Sequence, residues 1–161
     1  MGSFNMERLE LLKKEDMYQW QNRLFTELTE TEPNDYDIKW IWEETGGSGK
    51  SVFTKLLVTN YGAIITSGKA SDAKHLIVKY HKKNGRWPEI VIFDIPRSNI
   101  RYLSYPGIED IKNGLFVYKG GMVLMPSPHI VVFANTPPKR HNMSEDRWVV
   151  KELKESDKIQ F

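Results

Sequence analysis

A parallel α/β sheet with flanking helices is the fold class this sequence predicts, and three observations carry it. Short β-branched and aromatic runs alternate with stretches of helical period along most of the chain. Two runs, Ile90-Val91-Ile92-Phe93 and Ile130-Val131-Val132-Phe133, are apolar without alternation, as strands covered on both faces are. A glycine loop, Gly46 to Gly49, stands directly between a strand pattern and a helix pattern.

The elements follow in order. Glu7 to Thr31 carries Leu9, Leu12, Met17, Trp20, Leu24 and Leu28, a spacing of mainly three and four that predicts a helical stretch broken near Lys14-Glu15. Pro33-Asn34-Asp35 punctuates it. Ile38 to Trp42 reads as a strand, and Lys50 to Asn60, after the glycine loop, as a helix. Ala63 to Thr66 and Ser71 to Lys83 repeat the strand–helix alternation, and Glu89 to Asp94 is the next strand. Tyr105 to Asn113 is a third helix of this series; Leu115 to Val117 and Met122 to Met125, joined across Lys119-Gly120-Gly121, form a hairpin. His129 to Ala134 and Trp148 to Lys151 are the last strands. The boundaries expected are 1–6 for an expression scar, 7–34 for a helical segment, 35–155 for the α/β domain and 156–161 for a polar tail. Met1-Gly2-Ser3 is the reason for the first of these, and it suggests an excised domain of a longer protein.

Bulk composition narrows the classes. A length of 161 residues suits one domain with one core. With 23 basic and 21 acidic residues the net charge is only +2, so nucleic acid held by a broad basic face is excluded and any such contact must be local. The absence of cysteine excludes disulfides, thiolate metal sites and thiol catalysis. No apolar run approaches the roughly 20 residues of a membrane span, so no membrane partner is expected.

The chemistry concentrates in Thr45-Gly46-Gly47-Ser48-Gly49-Lys50-Ser51. Glycines let successive backbone N–H groups converge on a phosphate, and the helix that starts there adds its N-terminal dipole. Lys50 is placed to reach the β- and γ-phosphates of a nucleotide such as ATP, and the Ser51 hydroxyl to bind Mg2+. The full phosphate-loop pattern wants a glycine five residues before Gly49, where this chain has Glu44. Asp94, ending an apolar strand, stands where the second metal-shell acid belongs. The residue after it is Ile95, so the group that activates water has no assignment. Lys69, Arg97 and Lys112 are candidate phosphate contacts.

The order of motifs then resembles a family. The phosphate loop is followed by Phe93-Asp94-Ile95-Pro96-Arg97-Ser98, Tyr105-Pro106-Gly107-Ile108-Glu109-Asp110-Ile111-Lys112-Asn113-Gly114 and Tyr118-Lys119-Gly120. The series closes with Pro128 to Asn135 and Met143-Ser144-Glu145-Asp146-Arg147-Trp148. It resembles the superfamily 3 helicase domain of the replication-associated (Rep) proteins of circular single-stranded DNA viruses. The resemblance implies a P-loop AAA+-like sheet, ATP and Mg2+ as cofactors, single-stranded DNA as partner, a hexameric ring and a place in the host nucleus. It makes Gly46, Gly47, Ser48, Gly49, Lys50 and Ser51 the Walker A motif, and Asp94 the Walker B acid. Asn135 becomes the motif C residue that senses the γ-phosphate. Lys119, with Lys112, is expected on DNA, Arg147 as an arginine finger acting on a neighbouring subunit, and 7–34 as an oligomerisation collar. The nicking activity of such proteins belongs to a separate domain with paired histidines and Tyr-x-x-Lys. Tyr80-His81-Lys82-Lys83 fits the second pattern by letter only, since no paired histidines accompany it. Two other readings stay open: a P-loop nucleotide kinase, which would need an arginine-rich lid, and a nucleotide-binding DNA-binding or assembly module without turnover.

Overall fold

The computed structural model describes residues 10–144 and 146–160; the 1–6 segment, Glu7 to Leu9, Glu145 and Phe161 at the end of the 156–161 tail lie outside the described residues. Five strands form one wholly parallel sheet: β1 (Ile38–Trp42), β2 (Ile64–Thr66), β3 (Ile90–Asp94), β6 (His129–Ala134) and β7 (Trp148–Glu152), in the order β2-β3-β6-β1-β7. All six residues of β6 are buried, as its central place demands. Register is continuous across the middle, with Trp40 opposite Val132 and Ile92 opposite Val131. The side-chain alternation of β3 divides the core. Val91 and Phe93 join Trp40, Ile77 and Ile108 on one face, whereas Ile90 and Ile92 join Trp20, Phe53 and Leu57 on the other.

Four helices cover these faces: α1 (Gln19–Glu30), α2 (Lys50–Tyr61), α3 (Ala70–Asn84) and α4 (Tyr105–Asn113). Helix α4 starts where the Ser104 hydroxyl accepts from the Gly107 amide at 3.0 Å, and stops at Gly114 in the left-handed region. On α1, Trp20, Leu24, Phe25 and Leu28 make one buried stripe that packs against Ile41, Phe53 and Phe133. The N-terminal helix is therefore built into the same core as the sheet.

The break expected near Lys14-Glu15 is present: Lys14–Asp16 is a single 3-10 turn flanked by extended Lys13 and Met17, and the described residues before Tyr18 form no α-helix. Met17 is nonetheless fully buried, an apolar anchor delivered by extended backbone. Strands β4 (Leu115–Tyr118) and β5 (Gly121–Leu124) form the separate antiparallel hairpin. Its turn is just Lys119-Gly120, with φ of 47° and 75°, the positive values a tight two-residue hairpin turn needs. No helix among the described residues is long and apolar enough to cross a membrane.

Candidate functional site

Strand order assembles the site. Strand β6 lies between β1, which leads into the glycine loop, and β3, which ends at Asp94. Asn135, immediately after β6, thus falls between the loop and the acid, at the C-terminal edge where parallel sheets present their ligand sites. The ends are locked together: the Glu43 amide donates to Ala134 O at 3.2 Å, and the Ile95 amide to Phe133 O at 2.9 Å.

The loop itself has the form of an anion cradle. Helix α2 begins at Lys50, with Gly49 as its N-cap, so the first free amides of the helix face the loop. Gly47 and Gly49 have φ of 89° and 83°, values that side-chain-bearing residues rarely take. Around Gly46 and Gly47 the space a Cβ would enter is open. At Gly49 a Cβ would collide with the side-chain amide of Gln21, so glycine is required twice over.

Lys50 and Asp94 are both half-buried. Burial pushes the Lys50 ammonium below its ordinary pKa, against the pull of Glu43 and Asp94. Burial likewise raises the Asp94 carboxyl, with Lys50 opposing. The Lys50 Nζ reaches only Ala134 O, at 3.5 Å, and is therefore held loosely. Ser51, exposed in the first turn of α2, and Asp94 are the protein oxygens available to a cation. Two donors fit Mg2+, which keeps several waters and borrows phosphate oxygens; among the described residues no cluster of three or more metal-ligating side chains exists. Asp94 also borders a cleft of about 640 Å³ shared with Thr66, Ser67, Asp72 and His75. Asp72 there is an acid that the sequence reading did not single out. Ile95 is buried in the core and contributes nothing polar.

Side chains that the sequence reading missed hold the loop from behind. Trp20 Nε1 donates to Ser48 O at 3.0 Å, and Gln21 Nε2 donates to Gly49 O at 2.9 Å. Gln21 is oriented in turn by its Oε1, which accepts from the Tyr18 amide at 2.8 Å. Glu43, almost fully buried, pairs through Oε1 with Lys158 Nζ at 2.9 Å. From the front, the Arg97 guanidinium donates to the carbonyl of Glu44, the residue standing where the usual pattern has glycine. Of these, only Arg97 had a sequence signal, its place three residues after Asp94.

Two expected contacts are corrected. Arg147 is 6% exposed and spends its fork within its own chain: Nε donates to Tyr36 O at 3.1 Å, and one Nη to Asn113 Oδ1 at 3.0 Å. The other Nη lies 3.6 Å from Glu109 Oε1, and the guanidinium sits 4.7 Å from the Tyr36 ring centre. It is a strut between α4 and the start of β1, engaged within its own chain and not presented to a neighbouring subunit. Lys112 is 1% exposed, and its Nζ donates to Pro128 O at 2.7 Å, so it ties α4 to the segment before β6 and cannot touch DNA. Lys119, by contrast, is exposed at the hairpin tip. Four apolar side chains on one hairpin face, Leu115, Val117, Met122 and Leu124, are exposed as well.

Fold and site together define a parallel α/β domain with a glycine-rich anion loop, a lysine and a strand-end carboxylate. Comparison with known proteins places relatives beside it. The chain is 36% identical over 136 residues to Para-Rep C9 of Faba bean necrotic yellows C9 alphasatellite, covering 81% of this chain and 46% of the relative. It is 36% identical over 140 residues to Para-Rep C10 of Milk vetch dwarf C10 alphasatellite (82% and 47%). To Para-Rep C2 of Subterranean clover stunt C2 alphasatellite it is 32% identical over 136 residues (81% and 46%). No family model matches. The chain is thus homologous to alphasatellite Para-Rep proteins, in keeping with the resemblance to Rep proteins, and it spans about half the length of the curated relatives it matches.

Proposed function

We propose that this chain is the ATPase and helicase module of a viral replication-associated protein, coupling Mg-ATP hydrolysis to movement on single-stranded DNA. The observation that carries the reading is the position of β6, which sets Asn135 between the phosphate loop and Asp94. That strand order supports a P-loop AAA+-like assignment of the superfamily 3 kind. The glycine cradle and the N-terminus of α2 would hold the phosphates, and Lys50 would meet charge developing on the γ-phosphate. Ser51 and Asp94 would hold Mg2+, which neutralises phosphate oxygens when bound. Asn135 would orient water. Lys119, raised on its hairpin, would meet the DNA backbone in the channel of a hexameric ring, in the host nucleus where such replication takes place.

With Arg147 committed, a cation for the transition state must come from another position. Arg97 at the loop edge and Arg140, exposed between β6 and β7, are the arginines so placed. The buried Ile95 favours a second reading, a nucleotide-binding assembly module without turnover, because no acid follows Asp94. A nucleotide kinase has less support, since among the described residues no arginine-rich lid covers the site. One experiment separates these readings: phosphate release from Mg-ATP with and without single-stranded DNA, alongside the mass in solution, for the wild type and Lys50→Ala. DNA-stimulated release lost by at least tenfold in Lys50→Ala is expected, on the scale of about 3 kcal/mol for one transition-state contact. Binding without release would select the module, and phosphate transfer to a nucleoside monophosphate the kinase.

A further inference from the structure

The geometry points to Glu43 and Lys158 as a positioning pair beneath the phosphate loop: Lys158, on the C-terminal turn, neutralises a buried carboxylate that would otherwise capture Lys50. This inference rests on the nucleotide-site reading above.

Glu43 is the first residue after β1 and only 4% exposed, with its amide fixed to Ala134 O. Its Oε1 accepts from Lys158 Nζ at 2.9 Å and from Thr45 Oγ1 at 3.2 Å. Its Oε2 and the Ser48 hydroxyl within the loop are both buried, make no hydrogen bond of ordinary geometry, and lie close enough for the hydroxyl to favour the ionised carboxylate. A carboxylate so placed is electrostatically wrong for a polyphosphate site, because like charges a few ångströms apart in a low-dielectric interior repel strongly. Burial works to raise the Glu43 carboxyl, yet the Lys158 ammonium, joined by the Ser48 and Thr45 hydroxyls, outweighs it and holds the group below its ordinary value.

Lys158 is delivered with little freedom. It ends the 3-10 turn Glu155–Lys158, in which Asp157 Oδ2 accepts from the Lys154 amide at 2.8 Å and Oδ1 lies 3.0 Å from Lys151 Nζ. Before the turn, the Leu153 amide donates to Trp42 O at 2.9 Å; after it, Ile159 O accepts from the Gln19 amide at 2.8 Å. The chain is thus moored to the end of β1 on one side and to the start of α1 on the other. Its second acidic partner, Glu155 at 3.4 Å, is 95% exposed and adds little.

Lys50 explains why the pair matters. Its ammonium feels both Glu43 and Asp94, yet among the described residues it makes no ion pair within 4.0 Å. With Lys158 in place, Lys50 stays uncommitted and can turn to phosphate. Without it, Glu43 is a buried charge in need of a cation, and Lys50 is the cation within reach.

The test uses the full chain and four variants: Lys158→Ala, Lys158→Arg, Glu43→Gln and the double variant Glu43→Gln/Lys158→Ala. Affinity for Mg-ATP, KM and kcat for phosphate release, and Tm are measured on each. Lys158→Ala is expected to weaken Mg-ATP binding and raise KM by about tenfold or more, because it leaves the buried acid unpaired. Lys158→Arg should restore affinity and KM, and removing the acid should remove the need for Lys158: the double variant should recover most of the affinity lost in Lys158→Ala and bind as Glu43→Gln does. Should Lys158→Ala fail to fold, Lys158→Gln carries the same expectation, since it keeps a donor for Oε1 without the charge. A lowered Tm with unchanged affinity and KM would show a mere structural clasp and overturn the proposal, as would a double variant no better than Lys158→Ala. Failure of the wild-type chain to bind Mg-ATP overturns the nucleotide-site reading itself, whereas wild-type binding with an indifferent Lys158→Ala overturns this inference alone.

Discussion

Replacing Gln21 by methionine tests whether the N-terminal helix holds the phosphate loop in shape. The side chain is 1% exposed and makes two hydrogen bonds, accepting from the Tyr18 amide and donating to Gly49 O. Methionine fills nearly the same volume but offers neither, so both backbone groups lose a partner in a mostly dry setting. A made bond contributes about 1 kcal/mol and an orphaned buried group costs about 1–3 kcal/mol, so a stability loss of about 2–4 kcal/mol is expected. The functional share is separable. Gly49 O keeps the Phe53 amide at 3.2 Å but loses its tie to α1, so the loop residue is held by its own helix alone; ordering it on binding at about 1–2 kcal/mol would be a 5- to 30-fold loss of nucleotide affinity. The assay is titration of Mg-ATP against folded protein, with thermal melts in parallel. Gln21→Glu is the informative companion: it keeps the acceptor for the Tyr18 amide but sets an oxygen against Gly49 O, so affinity should fall while the helix start is kept. Leu28→Ala controls for general weakening. Leu28 lies in the same buried stripe without touching the loop, and its loss should cost about 2–5 kcal/mol of stability and no affinity. A folded Gln21→Met that binds Mg-ATP within about twofold of wild type would refute the reasoning.

Burial of Lys112 lowers its pKa from 10.5 to about 8, so below pH 8 both folded and unfolded states are protonated and the fold carries a full penalty of about 3 kcal/mol. Between pH 8 and 10.5 only the folded state releases the proton, so urea denaturation should show stability rising by up to that amount; Lys112→Met should abolish the rise, and a flat wild-type profile would count against it. Arg147→Lys keeps the charge but loses the fork, and should cost about 2–4 kcal/mol in melts with little change in Mg-ATP affinity. If mixing Arg147→Lys with Lys50→Ala restored phosphate release, a role in trans would have to be reinstated. Lys119→Ala should weaken single-stranded DNA binding and reduce the log–log salt slope by about 0.7, leaving basal phosphate release intact; an unchanged slope would make Lys119 an ordinary solvated tip.

The elements that residues specify locally were legible in the sequence. Ile90 to Phe93 of β3 and Ile130 to Ala134 of β6 are continuously apolar because both faces of these strands are covered, and Lys119-Gly120 marks a turn because it must take positive φ. The glycine loop, Lys50 and Asp94 were legible for the same reason, since their chemistry needs those residue types in that local order. The break before α1 was legible, since the spacing lapses to five between Leu12 and Met17; the burial of Met17 on extended backbone was not, because tertiary packing decides it. Arg147 and Lys112 were misread because a cation's burial depends on remote partners. For Arg147 these are Tyr36, Asn113 and Glu109; for Lys112 it is Pro128. The same remoteness hid the backing of the loop. Gln21 and Gly49 are 28 residues apart, Glu43 and Lys158 are 115, and nothing in the polar composition of 156–161 signals that it folds back on the loop.

The charges around the loop stand in balance. Glu43 and Asp94 face Lys50 and Lys158, so the four formal charges cancel and the domain does not carry an unbalanced cation cluster. Lys158 is spent on Glu43, which leaves Asp94 and Lys50 as the pair not yet in contact. On the reading proposed here, Mg2+ arriving with the nucleotide takes Asp94, and only then does Lys50 become a net positive charge at the mouth of the glycine cradle. Phosphate without metal would meet Asp94 uncompensated and bind poorly. Metal without phosphate would find only Ser51 and Asp94 and be equally weak. On that reading the two ligands would be coupled through charge, each improving the site for the other.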